Sequence, residues 1–197
     1  SVSINADGTS IVSGGSDKKS YLWDAKAGTK LKALSLSGAP YSVAFNSSGK
    51  LFVIACGDMK LYVVDGKEGK PKRLLKEHTG EVTAAAFNPV NDNIASGSKD
   101  NSVKLWDDVN NVAVATFREH TGQINALAFS PDGKNFASGS ADDKIVLYDI
   151  VENSPKATVT ADSKGVTSLA YSSDGKFLAS GGSNNSLKIW DAQDGKK

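Results

Sequence analysis

The chain has 197 residues, of which 39% are hydrophobic, and a formal net charge of +1. This charge gives no electrostatic reason to expect nucleic acid or an anionic membrane, and no apolar run approaches the roughly 18 residues of a membrane span. The single cysteine, Cys56, has no internal disulfide partner, which favours a reducing compartment. We therefore expect a soluble cytoplasmic chain, a fragment or a processed product, with the nucleus as the alternative location.

A repeat fills the sequence from end to end. Asp24, Asp65, Asp107, Asp149 and Asp191 are spaced 41 or 42 residues apart, and the residues before them are Trp23, Val64, Trp106, Tyr148 and Trp190. Short alternating segments between turn residues, repeated at this period, predict antiparallel strands in similar units. In chain order the units cover about residues 1–37, 38–77, 78–119, 120–161 and 162–197.

Turn residues separate the first predicted strand from the second in each unit. In four units the turn is a dipeptide that ends in glycine, which supplies a positive φ: Asp7-Gly8, Ser48-Gly49, Asp132-Gly133 and Asp174-Gly175. The third unit uses Asn88-Pro89, and its predicted strands are Val82–Phe87, Asn93–Ser98, Ser102–Asp107 and Val112–Phe117. The first unit starts partway through a strand, and the fifth ends where a fourth strand would begin.

The period, the four-strand units and the terminal Trp-Asp resemble the WD-repeat β-propeller family over the whole chain. The resemblance implies an all-β fold of four-stranded antiparallel blades, with about four and three-quarter blades present. WD-repeat rings most often have seven blades, so we expect part of a seven-blade ring, with a closed five-blade ring as the alternative. An incomplete ring would leave Val2, Ile4, Leu187 and Ile189 uncovered at its two ends.

The resemblance also implies a buried tetrad of His, Ser or Thr, Asp and Trp in each blade. The third unit has all four members, namely His78, Ser96, Asp100 and Trp106. Each polar group would cost about 1–3 kcal/mol if buried alone, so we expect them to pair. The other units keep parts of the set: His120, Ser138, Asp142 and Tyr148; Asp162, Ser180, Asn184 and Trp190; Ser13, Asp17 and Trp23; and Leu36, Ile54, Asp58 and Val64. The second unit is thus expected to depend most on apolar packing.

No set of residues predicts catalysis or metal binding. Ser96, His78 and Asp100 have the composition of a hydrolase triad, but a triad needs an exposed nucleophile and an oxyanion hole. Similar sets recur at the same position of several units, which favours a structural role. There is no His/Cys cluster with metal-ligand spacing, and Gly14-Gly15 precedes no predicted helix that could cradle phosphate. We therefore expect neither an enzyme nor a bound cofactor or metal.

In WD-repeat proteins the face formed by loops entering the first strand and by turns after the second strand commonly binds partners. Carried over by position, its contact residues are Tyr41, Glu81, Thr83, Lys99, Gln123, Asn125, Thr167 and Ser183. Tyr41 is the aromatic among them and aromatic residues are enriched in hot spots, although Tyr41 could instead cover the end of its own unit. No arginine falls on this face, so phosphopeptide recognition is not predicted.

The resemblance therefore favours a protein-interaction scaffold that binds a protein or peptide within a larger complex. A propeller that accompanies an enzyme outside this chain is the alternative. Nucleic-acid binding is a weaker alternative and would use surface lysines, of which candidates are Lys18, Lys19, Lys60, Lys67, Lys70 and Lys72.

Overall fold

The computed structural model describes residues 1–107, 109–161 and 164–196. These residues form strands and turns, with no helix among them. The strands in chain order are β1 (Val2–Ile4), β2 (Ser10–Gly15), β3 (Lys19–Asp24), β4 (Lys30–Ser35), β5 (Pro40–Phe45), β6 (Leu51–Cys56), β7 (Leu61–Asp65), β8 (Pro71–Leu75), β9 (Val82–Phe87), β10 (Ile94–Ser98), β11 (Val103–Trp106), β12 (Ala113–Phe117), β13 (Ile124–Phe129), β14 (Asn135–Ser140), β15 (Lys144–Asp149), β16 (Ser154–Thr160), β17 (Val166–Tyr171), β18 (Phe177–Gly182) and β19 (Leu187–Asp191).

Consecutive strands pair into five antiparallel sheets, so the all-β expectation is confirmed. The first sheet is β1–β4, the second β5–β8, the third β9–β12, the fourth β13–β16 and the fifth β17–β19, each with its strands in chain order. In the third sheet every strand begins and ends within one residue of its prediction. Sequential antiparallel strands need only tight turns, which the turn residues of the repeat provide.

Glycine makes the turn between the first and second strands in four of these sheets. The φ angles are 71° at Gly8, 68° at Gly49, 69° at Gly133 and 72° at Gly175. A residue with a β-carbon seldom adopts these angles, so the repeated glycine has a steric cause. The third sheet turns between Asn88 and Asn93 without a glycine.

The core lies between neighbouring sheets. Trp106 belongs to the apolar cluster that joins the second and third sheets, Tyr148 to the cluster between the third and fourth, and Trp190 to that between the fourth and fifth. Val64 occupies the same strand position in the cluster between the first and second sheets. In the second to fifth sheets, the bulky residue before the repeated Asp therefore packs its sheet against the preceding one.

Within the described residues the five sheets form an open arc. The first strands β1, β5, β9, β13 and β17 contact one another in that order, whereas the first and fifth sheets share no substantial strand contact. Val2 and Ile4 are 69% and 57% exposed at one end of the arc, and Leu187 and Ile189 are 73% and 48% exposed at the other. A closed five-sheet ring would bury these residues, so the chain does not form that ring.

Candidate protein-interaction face

A hydrogen-bonded relay crosses the third sheet. The indole Nε1 of Trp106 donates to Ser96 Oγ over 2.8 Å, and Ser96 Oγ is 2.8 Å from His78 Nε2. His78 Nδ1 is 2.8 Å from Asp100 Oδ2. The acceptor-only carboxylate places the imidazole proton on Nδ1, so Ser96 donates to Nε2 and every hydrogen bond points toward Asp100. The structure thus brings together the four side chains that the sequence assigned to one tetrad.

This relay has triad geometry without a usable nucleophile. Ser96 is fully buried, and its oxygen already accepts the Trp106 hydrogen bond. Acyl transfer requires the serine oxygen to reach a substrate carbonyl beside an oxyanion hole. The geometry of Ser96, His78 and Asp100 therefore supports a structural role.

Burial and hydrogen bonds together set the protonation of the relay. Desolvation lowers the pKa of His78 below its usual value, against the opposing effect of Asp100. Burial alone would raise the pKa of Asp100, but hydrogen bonds from Ser102, from His78 and from the Thr79 amide outweigh it and hold that pKa well below its usual range. A neutral imidazole and an ionised carboxylate are the result.

The fourth sheet repeats the relay with a phenol in place of the indole. His120 Nε2 is 2.7 Å from Ser138 Oγ, and His120 Nδ1 is 3.0 Å from Asp142 Oδ2. Ser138 Oγ lies 3.2 Å from Tyr148 Oη. Because the phenol can donate or accept, the set remains connected without tryptophan.

The first and fifth sheets keep a shorter version of this set. Trp23 donates to Ser13 over 2.9 Å in the first sheet, and Trp190 donates to Ser180 over 2.9 Å in the fifth. The expected histidine substitute, Asp162, lies outside the described residues.

In the first and second sheets a tyrosine hydroxyl, in place of a histidine, donates to the aspartate in the turn after the second strand. The sequence reasoning missed these two tyrosines. Tyr21 Oη donates to Asp17 over 2.7 Å, and Tyr62 Oη donates to Asp58 over 2.6 Å. Lys60 also reaches Asp58 at 3.0 Å. The second sheet therefore has a polar network in addition to the apolar packing that the sequence predicted for it. The spacing Asp-x-x-x-Tyr in the first and second units was the available signal.

The predicted interaction face contains a cluster made by two neighbouring sheets. Glu81 Oε2 accepts a hydrogen bond from Tyr41 Oη over 2.7 Å and pairs with Lys99 Nζ at 2.5 Å. The Lys99 ammonium lies 5.3 Å from the centre of the Tyr41 ring. We call these three residues the Tyr41 cluster. Tyr41 is 44% exposed, so it joins the two sheets and still presents part of its ring to solvent.

Mutual hydrogen bonds shift the pKa values of the cluster. The Lys99 ammonium, followed by the Tyr41 hydroxyl, lowers the pKa of Glu81. The hydrogen bond to Glu81 raises the pKa of Lys99 and also that of Tyr41. Near neutral pH the cluster therefore presents one carboxylate, one ammonium and one neutral phenol. Exposed ion pairs contribute little to folding, so the cluster can change without loss of the fold.

Four predicted face residues line one cavity at the inner edge of the arc. Tyr41, Thr83, Asn125 and Thr167 share a register position in β5, β9, β13 and β17, and the cavity that they line has a volume of about 290 Å³. Their polar groups also contact the backbone. The Thr83 hydroxyl lies within hydrogen-bond distance of two carbonyls, those of Gly97 and Ile124, and donates its one proton between them. Asn125 donates to the Val166 carbonyl over 2.8 Å, and Thr167 donates to the Gly181 carbonyl over 3.0 Å.

The remaining two candidates, Gln123 and Ser183, lie just before β13 and just after β18. Gln123 donates to Asn125 over 2.9 Å and is partly buried. Ser183 is exposed in the turn after β18, and its amide donates to the Gly165 carbonyl over 3.2 Å. The structure therefore joins Tyr41, Glu81 and Lys99 directly and leaves Ser183 apart from them.

The described part of the chain offers little for three other kinds of site. It holds no group of three or more His, Cys, Asp or Glu residues that could bind a metal ion. It also holds no helix long and apolar enough to cross a membrane. Cys56 is buried, and burial raises the pKa of its thiol to about 11, so the thiol stays protonated near neutral pH.

Comparison with known protein families agrees with the geometry. Residues 23–197 match the family described as "Nucleolar protein 10-like, N-terminal domain", a β-propeller domain, and residues 1–24 match "WD domain, G-beta repeat". The chain belongs to the WD-repeat β-propeller family, within the nucleolar protein 10-like domains. The resemblance inferred from the repeat is thereby confirmed. Propellers of this family are generally non-catalytic scaffolds.

Individual relatives are more distant and much longer. Human pre-mRNA-processing factor 17 is 28% identical over 109 residues, which cover 54% of this chain and 19% of that protein. The U3 small nucleolar RNA-associated protein 21 of Saccharomyces cerevisiae is 28% identical over 106 residues, with 54% and 11% covered. Human WD repeat-containing protein 90 is 30% identical over 112 residues, with 50% and 6% covered. The chain thus spans less than a fifth of the length of these relatives.

Proposed function

We propose that this WD-repeat chain is a non-catalytic scaffold that binds a protein or peptide partner through the Tyr41 cluster and the adjoining inner edge of the arc. The observation that carries the proposal is the meeting of Tyr41, Glu81 and Lys99 from two sheets on one exposed surface. A partly exposed aromatic ring beside both signs of charge offers apolar contact and directional hydrogen bonds together. Tyrosine in such a setting is typical of interface hot spots.

The relatives favour a multi-component setting. Two of them are named for pre-mRNA processing and for association with a small nucleolar RNA, and the matching domain family is named for a nucleolar protein. These names favour a nuclear or nucleolar location over the cytoplasmic one expected from the sequence. We propose that the chain contributes a docking surface to such an assembly. A propeller beside an enzyme outside this chain remains the alternative.

Direct nucleic-acid binding receives less support from the surface charges. Lys60, Lys70 and Lys72 are each 3.0 Å from a carboxylate, that of Asp58, Glu68 and Asp65 respectively. A lysine neutralised in this way contributes less to a phosphate-binding surface. A steep loss of RNA affinity with added salt would favour nucleic-acid binding over the scaffold role.

The test is affinity capture with variants of the Tyr41 cluster. We expect Tyr41→Ala and Glu81→Lys each to lower recovery of a direct protein partner about tenfold or more, with an unchanged melting temperature. The matched control is Glu68→Lys, since Glu68 forms an exposed pair with Lys70 away from the cluster. A photo-crosslinking residue at position 41 should couple to the same partner. Undiminished capture by both cluster variants would refute this location of the site.

A further inference from the structure

Within the described residues, the junction between the fourth and fifth sheets lacks a side-chain hydrogen bond that two other junctions form just after the first strand. The residue after the first strand is asparagine in the second and third sheets, and its Nδ2 donates to the next sheet. Asn46 donates to Asp92 Oδ1 over 2.7 Å, and Asn88 donates to the Gly133 carbonyl over 2.8 Å. The fourth sheet has Ser130 instead, which donates within its own turn to Asp132 Oδ1 over 2.6 Å.

A polar cavity occupies this junction. It has a volume of about 180 Å³, and its lining includes Asp132, Asn135, Tyr171 and Asp174. Asn135 Oδ1 and Tyr171 Oη are both buried, and neither atom has a hydrogen-bond partner among the described residues. A buried polar atom without a partner is costly, so the cavity favours an occupant that can hydrogen-bond with both atoms.

Tyr171 is unusual for its position. Phe45, Phe87 and Phe129 end the first strand in the second, third and fourth sheets, where Tyr171 ends that of the fifth. The loss of an asparagine on one side of the junction therefore coincides with the gain of a hydroxyl on the other. Burial raises the pKa of the Tyr171 phenol, and the Asp132 carboxylate raises it further, which places that negative charge within electrostatic reach of the hydroxyl.

The chemistry of the lining selects the occupant. Two carboxylates, one amide oxygen and one phenol face the cavity, and the described residues that line it include no lysine or arginine. Lys176 contacts Asp174 only at 3.6 Å, and its side chain is 75% exposed. We propose that this cavity binds the ammonium or guanidinium end of a basic side chain presented by a partner protein. Such a group brings positive charge and several N–H donors to a set of acceptors.

The volume of the cavity favours a side chain as its occupant over a single structural water molecule. A water molecule takes up about 30 Å³ in the liquid, so the cavity is several times larger than one water requires. The site lies at the opposite end of β13 and β17 from Gln123 and Thr167 of the proposed interaction face. It can therefore be tested separately from the Tyr41 cluster.

The probes are N-acetyl-L-lysine methylamide and its uncharged analogue N-acetyl-L-norleucine methylamide. Ligand-detected saturation-transfer NMR on the full chain, at fixed ionic strength, measures binding of each. We expect saturable transfer to the lysine probe and none to the norleucine probe. Asp132→Asn should weaken the lysine probe about tenfold, because a charge-assisted hydrogen bond is lost. Tyr171→Phe, which introduces the residue that the second, third and fourth sheets have at this position, should weaken binding of the lysine probe several-fold without unfolding the chain.

Two further variants make the test specific. Ser130→Asn supplies the carboxamide that Asn88 provides one junction earlier, so we expect it to fill the cavity and abolish binding without lowering the melting temperature. Asp7→Asn changes the equivalent turn aspartate of the first sheet and should leave binding unchanged. Equal transfer to the norleucine probe would overturn the proposal, and so would binding that survives both Asp132→Asn and Ser130→Asn. Absence of saturable binding would show that solvent alone fills the cavity, which also overturns it.

Discussion

Each hydrogen bond of the third-sheet relay depends on the next. Trp106 donates to Ser96, Ser96 to His78 and His78 to Asp100, and Asp100 also accepts the Thr79 amide and the Ser102 hydroxyl. Because Asp100 is the final acceptor, its removal leaves several donors without partners at once. A buried donor without a partner costs more than a hydrogen bond contributes. The relay is therefore most sensitive at its carboxylate end.

Asp100→Ala should reduce the free energy of unfolding by about 1–3 kcal/mol, since it leaves His78 and its neighbours unsatisfied. Asn184→Ala, the matched change in the fifth sheet where the turn carboxylate is already replaced, should cost less. Urea unfolding followed by tryptophan fluorescence measures both. Equal losses at the two positions would contradict a special role for the third-sheet relay.

Acidification should destabilise the chain through His78 and His120. Burial lowers the folded-state pKa of both below the ordinary histidine value of about 6.5. The unfolded state then binds more protons as the pH falls, so their contribution is fully present above about pH 6.5 and is lost as the pH falls through the folded pKa. The free energy of unfolding should decrease between about pH 7 and about pH 5. In the double variant His78→Gln/His120→Gln this decrease should be smaller, and an identical pH dependence would exclude the histidines as its cause.

At the scale of strands, the close approach of neighbouring sheets selects glycine in the second strand. A β-carbon at Gly97 would lie 2.3 Å from Ile124 Cγ2 and 2.6 Å from Ile124 Cβ, on the first strand of the next sheet. At Gly181, the same position in the fifth sheet, the nearest atom would be the Ser168 hydroxyl oxygen at 2.5 Å. A hydroxyl can rotate away, whereas a branched carbon next to the backbone cannot.

Gly97→Ala should therefore destabilise the chain by about 1–3 kcal/mol, the usual cost of overpacking. Gly181→Ala should cost clearly less, because only the Ser168 side chain has to move. Thermal unfolding of the two variants under one set of conditions gives the comparison. A larger loss for Gly181→Ala would show that contact with the next sheet does not restrict this strand position.

The sequence predicted the strands well because their signals are local. Alternation and turn residues placed the third-sheet strands within one residue, and the repeated glycines supplied the expected positive φ. Contacts between sheets depend on how far one sheet is rotated and shifted against the next, which no local pattern encodes. The bond from Tyr41 to Glu81 and the cavity beside Tyr171 belong to this class. The Asp17–Tyr21 contact had a spacing signal that reasoning centred on histidine overlooked.

At the scale of the whole molecule, the arc has two uncovered faces. Val2 and Ile4 project from the first sheet, and Leu187 and Ile189 project from the fifth. The fifth sheet has three strands, and within the described residues no fourth strand pairs with its outer edge at β19. Apolar faces and open strand edges both favour association with another protein surface. Further blades of a seven-blade ring would cover both faces, and this arrangement stays a prediction.

The isolated 197-residue polypeptide should therefore self-associate. Sedimentation velocity over a wide concentration range should show the mean sedimentation coefficient rising with concentration, because burial of the end faces removes apolar area from water. Leu187→Lys/Ile189→Lys should reduce the association, since both side chains are already exposed and lysine there disturbs no core contact. Val151→Lys is the matched control: Val151 is 80% exposed but lies in a turn between the strands of the fourth sheet. A monomer whose sedimentation does not change with concentration would show that the uncovered faces are stable in water.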